Sequence, residues 1–377
     1  MKVIVFGATG FIGSSVAEAF SRAGHITYGT SRSQSAKQSL IAQEIIPIIC
    51  DPYSKEGLEA WGRIAETADA GKYAAGLRRI LSGREERPLG LQLTSVIDCT
   101  SAKGAEQALS LAKHFKKIIS GRPAASPKPT YIYTGGLWSW TKGPGGLDKW
   151  TDERQPRTDE NSNVAWRQGV EDPVLLGEWQ GPCFEDTGLT GPEESFNGVV
   201  IRPPMLYGKT GSYVGALTFQ PFLDAKQGET VEVLARDVTR WQTIHRDDIG
   251  EAYRAVAEVV SEHRSLDPPH RINPVHRGRN AHDQGHLAKG QTFLPANPQT
   301  ERLTDILDAL VRVSGVKGYK LKDASNPFEG AWVSTLNAHP SLLTALTGWR
   351  PKRLSIVDGI DLYWAAFVAS KQDKANL

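Results

Sequence analysis

Seven residues near the start of the chain carry the most specific chemistry: Gly7-Ala8-Thr9-Gly10-Phe11-Ile12-Gly13. They follow an apolar run of strand length and open a helical pattern, the context in which spaced glycines acquire meaning. Gly7 allows a tight turn, Gly10 lets the backbone approach a pyrophosphate, and Gly13 lets helix pack on strand. A diphosphate then meets the N–H groups and the positive dipole end of the helix. The sequence therefore predicts a dinucleotide held by Gly7, Thr9, Gly10, Phe11, Ile12 and Gly13. Its identity is set at the end of the second strand, where an acidic residue would bind the NAD ribose. Here the chain reads Thr30-Ser31-Arg32-Ser33. An arginine between hydroxyls suits a 2′-phosphate, so NADP(H) is expected, with Ser31 and Arg32 as its selectors.

Other reactive side chains are less organised. Five of the nine histidines, at 263, 270, 276, 282 and 286, fall in one segment, but they form neither HxH nor HExxH and no cysteine joins them. No metal site is expected from that spacing. The three cysteines, Cys50, Cys99 and Cys183, are too few and too scattered for a disulfide framework, which fits a reducing, cytoplasmic setting. Five of the ten tryptophans, Trp138, Trp140, Trp150, Trp166 and Trp179, lie in one stretch of the middle region. If they line a pocket, it favours a flat apolar or aromatic ligand; if not, they are ordinary core.

These residues must be positioned by an α/β framework. Val3–Phe6, Ile26–Thr30, Ile45–Cys50, Ser95–Thr100, Thr130–Thr134 and Val199–Arg202 read as short strands, and Gly13–Arg22 as the first helix. Such alternation predicts a Rossmann-type doubly wound parallel sheet. Asp247–Glu262, Leu303–Val313 and Ile356–Ala369 are further amphipathic helices. Insertions are expected at 71–93, 181–197 and 263–290. The 377 residues suffice for a large core, and 44 basic against 42 acidic residues, with no run of five cations, point away from nucleic acid. No window is apolar for 18 residues, and the first apolar run stops at Gly7, too short for a signal peptide; no membrane partner is expected.

Taken in order, the motifs resemble those of the extended short-chain dehydrogenase/reductases of the NAD-dependent epimerase/dehydratase type. Beyond GATGFIG, Asp51 resembles the aspartate that contacts adenine, and Asp98-Cys99-Thr100-Ser101-Ala102 the segment that runs along the cofactor. Ile201-Arg202-Pro203-Pro204-Met205-Leu206-Tyr207-Gly208 resembles RPxxxYG, Thr243-Ile244-His245-Arg246-Asp247-Asp248-Ile249 resembles (F/I)HxxD(L/I), and Gly348-Trp349-Arg350-Pro351 resembles GWxP. The resemblance implies cofactor contacts from Asp51, Thr100, Ser101 and Ala102. It also implies a smaller C-terminal α/β substrate cap, with a Rossmann part of 1–204 plus 236–262 and a cap of 205–235 plus 263–377. The substrate would lie between the two.

The pattern breaks at the catalytic motif. None of the ten tyrosines is followed four residues later by lysine, so YxxxK is absent. Matching on a glutamate four residues further on selects the run from Asn163 to Glu171, with Asn163 at the tyrosine position and Arg167 at the lysine position. Asparagine has no proton to exchange, whereas Arg167 can hold a ribose. Thr134, at the tip of the fifth strand, is the surviving hydroxyl beside two glycines. Tyr207, His245, Asp247 and Glu171 are candidates for a relocated acid or base. Each has a plainer reading: a pocket wall, a structural hydrogen bond with a helix cap, and a solvent-facing or fold-supporting carboxylate.

The sequence thus leads to an NADP(H)-binding, atypical reductase-like enzyme for a small apolar or aromatic carbonyl or hydroxyl compound. In it Thr134 and Asn163 orient the oxygen, Arg167 holds the ribose, and Tyr207 or water relays the proton. A redox-silent sensor or regulatory protein, and a non-redox isomerase or lyase that keeps the nucleotide, stay open. A homodimer is expected by analogy alone.

Overall fold

The computed structural model describes residues 1–66, 93–122, 128–140, 150–153, 163–176, 196–209, 212–262, 288 and 290–375. Most of the expected insertions, the histidines at 263, 270, 276, 282 and 286, Trp179 and Cys183 lie outside the described residues.

The chain divides into two compact units, one of Met1–Thr134, Gly169–Val200 and Tyr253–Gln291, the other of Gly135–Gln168, Ile201–Ala252 and Thr292–Leu377. In the first, β1 (Lys2–Phe6), β2 (Ile26–Ser31), β3 (Ile46–Ile49), β4 (Leu93–Asp98), β5 (Thr130–Thr134) and β6 (Asn197–Ile201) lie side by side in the order 6-5-4-1-2-3. The pairings of β1 with β2 and β4, of β2 with β3 and of β4 with β5 are parallel. This is the Rossmann order, and it reverses between β1 and β4, the place where such sheets bind ligands. Helices α1 (Phe11–Arg22), α2 (Ala36–Ala42), α3 (Lys55–Glu66), α4 (Ala105–Ser120) and α5 (Gln168–Leu176) flank these strands in sequence.

Every residue of β1, β4 and β5 is buried, as strands covered on both faces require. Phe6 meets Trp61 of α3 edge-on with ring centroids 4.9 Å apart. β4 ends at Asp98, two residues before the expected Thr100, because Thr100 turns back to hydrogen-bond the Asp98 carboxylate. α1 begins at Phe11, with Gly10 as its cap, so Gly13 lies inside the helix.

The second unit contains β7 (Met205–Tyr207), β8 (Thr230–Leu234), β9 (Arg240–His245), β10 (Thr300–Arg302) and β11 (Gly318–Lys322). β9 pairs parallel with β7 and antiparallel with β10, which ties 240–245 to this unit. β8 and β11 form a separate parallel pair. β9 runs directly into α6 (Arg246–Glu262), and α7 (Leu303–Ser314) follows β10. The core of this unit is built around Trp241 and Trp332, whose rings meet edge-on at 4.8 Å, with Leu303, Ile306, Leu307 and Leu310. The last helix, α8 (Ile360–Ala375), starts four residues later than the expected Ile356. Ser355 and Asp358 exchange hydrogen bonds in a turn there, and the Val357 N–H is claimed by Glu301.

Candidate functional site

The glycine turn at the end of β1 is shaped by contacts that admit no side chain. Gly7 has φ +72°, and a Cβ on it would sit 3.0 Å from the carbonyl oxygen of Cys99, just past β4. A Cβ on Gly13 would fall 2.1 Å from the Gly7 carbonyl oxygen, a distance no real contact shows, so α1 can approach the turn only with glycine there. The Gly7 N–H donates to Thr30 Oγ1 at 3.0 Å, and the Ala8 N–H to the Thr30 carbonyl at 3.1 Å. Both N–H groups are thereby fixed to β2. Gly10 offers no side-chain cap to α1, and no acidic residue stands in its first turn. The leading N–H groups of a helix have no intrahelical partner, and helix starts of this kind are where anions can be bound.

The expected cofactor residues gather in this unit. Thr9 Oγ1 and Ser31 Oγ lie 3.4 Å apart, joining the turn to the end of β2, and Ser31 Oγ accepts the Ser33 N–H at 3.2 Å. Ser31 is buried and Arg32 exposed, which puts the guanidinium at the surface beside a hydroxyl-lined strand end. Asp51 is exposed, and one of its carboxylate oxygens accepts the Tyr53 N–H at 3.1 Å. The Thr100 hydroxyl donates to the buried Asp98 carboxylate at 2.5 Å and sits 2.5 Å from the Tyr53 hydroxyl, while the Tyr131 hydroxyl donates to the other Asp98 oxygen at 3.1 Å. Thr100 is therefore occupied within the protein through both its hydroxyl and its N–H. Ser101 is exposed and Ala102 half-buried in the chain that follows.

Thr134 ends β5, as expected, and its hydroxyl is engaged. It accepts from the Tyr253 hydroxyl at 2.9 Å and donates to Cys99 Sγ at 3.6 Å. Burial pushes the Cys99 thiol up to about 12, so this sulfur is a neutral thiol. Glu171, on α5, is wholly buried, so it does not face solvent. Tyr53 and Tyr253 were not legible as site residues; neither stands in a motif, and only the folded sheet brings them to Thr100 and Thr134.

In the second unit, Asn163 and Arg167 bracket a 3-10 turn, Ala165–Arg167, ahead of α5. The Arg167 guanidinium lies 4.9 Å from the centroid of the neighbouring Trp166 ring. The Tyr207 ring is buried, and its hydroxyl donates to the Leu354 carbonyl at 2.5 Å and accepts from Asn297 Nδ2 at 3.3 Å. Burial raises its pKa far above the ordinary tyrosine range. Its proton is thus committed, which suits a wall better than a relay. His245, also buried, accepts the Asp247 N–H on Nδ1 at 3.1 Å, and burial pushes its pKa down to about 4. Asp247 is gripped by Lys209 at 3.1 Å and Arg353 at 2.6 Å. This is a structural joint. Gly208, at φ +86°, makes room for it: a Cβ there would lie 2.1 Å from His245 Nε2.

Past the tip of β5, Trp138 meets Phe328 edge-on at 5.7 Å, and Phe328 meets Tyr213 at 6.0 Å. Tyr213 is 67% exposed. Among the described residues, nothing lies within 4 Å of where a Cβ on Gly136 would sit. Trp138 was a sequence candidate; Tyr213 and Phe328 joined it only through the fold. Trp150 instead stacks on His339 at 4.1 Å.

No protein-family model and no curated protein matches the chain. Solved structures do match along nearly the whole length. A nucleoside-diphosphate-sugar epimerase from Pseudomonas aeruginosa is similar at a TM-score of 0.60 and 14% identity, covering 99% of this chain and 98% of that one. UDP-glucuronic acid 4-epimerase from Bacillus cereus, in complex with UDP-glucuronic acid and NAD, gives 0.61 at 12% identity over 98% and 100%. dTDP-glucose 4,6-dehydratase from Bacillus anthracis, in complex with NAD, gives 0.60 at 10% identity over 99% and 98%. What the chain shares with them is the fold, the Rossmann-type α/β sheet expected from the sequence.

Proposed function

We propose that this chain binds NADP(H) on its glycine turn and acts as an atypical extended short-chain reductase-like enzyme on a small apolar or aromatic carbonyl or hydroxyl compound. The observation that carries the reading is the turn itself, where Gly7 and Gly13 leave bare backbone at the sheet's switch point and the helix above has neither cap nor acid of its own. A dinucleotide fits that cradle, and Arg32 beside Ser31 and Thr9 supports the 2′-phosphate form. When bound, the cofactor supplies or accepts hydride.

The chain's residues do the rest. Thr134 and Asn163 orient the substrate oxygen by hydrogen bonds, and Arg167 holds the ribose hydroxyls and adds positive charge. Water brings the proton, since Tyr207 already donates its own to Leu354. The aromatic rings of Trp138, Tyr213 and Phe328 favour a flat ligand over a sugar. The functional division into a Rossmann part (1–204 plus 236–262) and a cap (205–235 plus 263–377) belongs to the same proposal; the compact units are cut differently, with 135–168 and 201–252 in the second and 253–291 in the first. The nucleotide-sugar substrates of the similar structures are not carried over.

The test is titration of the protein with NADPH and NADH by cofactor fluorescence, then NADPH oxidation against aromatic aldehydes, ketones and quinones. Tight NADPH binding with turnover is expected. Binding without turnover on any of them would favour a redox-silent sensor, a reading supported by the missing YxxxK and the engaged Thr134 hydroxyl. Asn163→Tyr with Arg167→Lys separates the two, because only a reductase pocket gains turnover. No binding of either cofactor would end the proposal.

A further inference from the structure

The fully buried Tyr253 stands on α6, 119 residues from Thr134 in sequence, and donates to its hydroxyl oxygen at 2.9 Å. Thr134 in turn points its proton at Cys99 Sγ, 3.6 Å away. A threonine hydroxyl has one proton and two lone pairs. Tyr253 fills a lone pair, fixes the oxygen in place and, by donating to it, makes the remaining proton a stronger donor. That proton rests on sulfur, a weak acceptor, and Thr134 keeps 9% of its surface at the tip of β5. Withdrawing a proton from so weak an acceptor costs little, and a carbonyl oxygen accepts it better.

We propose that Tyr253 is a positioning residue that holds the Thr134 oxygen while the Thr134 proton switches from Cys99 sulfur to the oxygen of a bound carbonyl substrate. The proposal rests on the reductase reading above, and it supplies by relay some of the orientation that a YxxxK tyrosine would have given directly. Burial keeps Cys99 protonated, so the sulfur never becomes a thiolate that would keep the proton.

The experiment uses the cofactor-free full chain with acetophenone labelled with carbon-13 at the carbonyl, read by infrared difference spectroscopy. A hydrogen bond from Thr134 lowers the carbonyl stretch of the bound ketone. Thr134→Val should abolish that shift, Thr134→Ser should retain it, and Tyr253→Phe should reduce it. The cysteine variants discriminate most sharply. Cys99→Ser offers the Thr134 proton an oxygen and should weaken the shift; Cys99→Ala removes the competitor and should preserve or enlarge it. In turnover with NADPH, kcat should follow the same order, with about a tenfold loss for Tyr253→Phe and NADPH affinity held within about twofold.

A purely structural role predicts the opposite cysteine order, with near-isosteric Cys99→Ser like the parent and Cys99→Ala the worst; that order would overturn the proposal. Bound acetophenone with no shift in the parent protein would also overturn it, while leaving the reductase reading to the NADPH assay. Failure of acetophenone to bind to a protein that binds NADPH in the fluorescence titration would remove the carbonyl-substrate reading and this inference with it.

Discussion

Two strand-to-helix junctions in this molecule solve the same electrostatic problem in opposite ways. Where β1 enters α1, the chain supplies Gly10 as a bare cap and no acidic residue in the first turn. Where β9 enters α6, it supplies Asp247 and Asp248. Asp248 accepts the backbone N–H groups of Lys352 and Arg353 at 3.1 and 2.9 Å, and Asp247 gathers Lys209 and Arg353. The positive end of the helix dipole is present at both. At α6 the chain's own carboxylates meet it and bolt a distant loop in place; at α1 the chain supplies no carboxylate of its own. The comparison teaches that a helix start is open to a ligand only through what the sequence omits, which is the ground of the proposed cofactor site.

Glycine substitutions break the comparison most severely, with different losses at each junction. Gly208→Ala forces a Cβ against His245 at positive φ, and should cost about 4 kcal/mol of stability in urea unfolding with little change in NADPH affinity of the molecules that remain folded. Gly13→Ala should cost stability too, since α1 is pushed off the Gly7 carbonyl, and in addition lower NADPH affinity of the folded molecules about a hundredfold, about 3 kcal/mol.

The pH dependence of stability should come from the α6 junction. His245 is held neutral in the folded chain, its pKa lowered from 6.5 to about 4, chiefly by burial, against the pull of Asp247 and with the help of Arg353, Lys209 and Arg246. Between those values the unfolded chain takes up a proton that the folded chain refuses. Stability contributed by neutral His245 is therefore complete above about pH 6.5 and drains away as pH falls toward 4, by about 3 kcal/mol in all. Urea midpoints measured across that range should show it, and His245→Gln should flatten the slope.

The smallest effect sharpens the cofactor side. Arg32→Ala should weaken NADPH about tenfold, about 1.4 kcal/mol, and leave NADH unchanged. An equal loss for both cofactors would mean that Arg32 does not meet the 2′-phosphate.

The sheet and the glycine turn were legible because their signals are local. Six apolar runs of strand length, a glycine where φ must be positive and another where a helix must touch a turn are all read within a few neighbours. Arg32 was legible for the same reason, since it immediately follows the strand that carries it. The plain reading of His245 and Asp247 also came from adjacency, two residues at the seam between strand and helix. Tyr207 misled because the motif fixes its identity but not its partner: the carbonyl that takes its proton belongs to Leu354, 147 residues away. The Tyr53 hydroxyl at Thr100 and the Tyr253 hydroxyl at Thr134 were invisible for the same reason, lying 47 and 119 residues from their partners.

By itself, then, the sequence determined the order and kind of elements, the bare cradle of α1 and the arginine beside it, because backbone sterics and helix capping act over a handful of residues. The tertiary structure decided which hydroxyls are spent and on what. A hydroxyl's partner is whatever polar atom the packing of remote strands and helices leaves within 3 Å, and no local pattern encodes that.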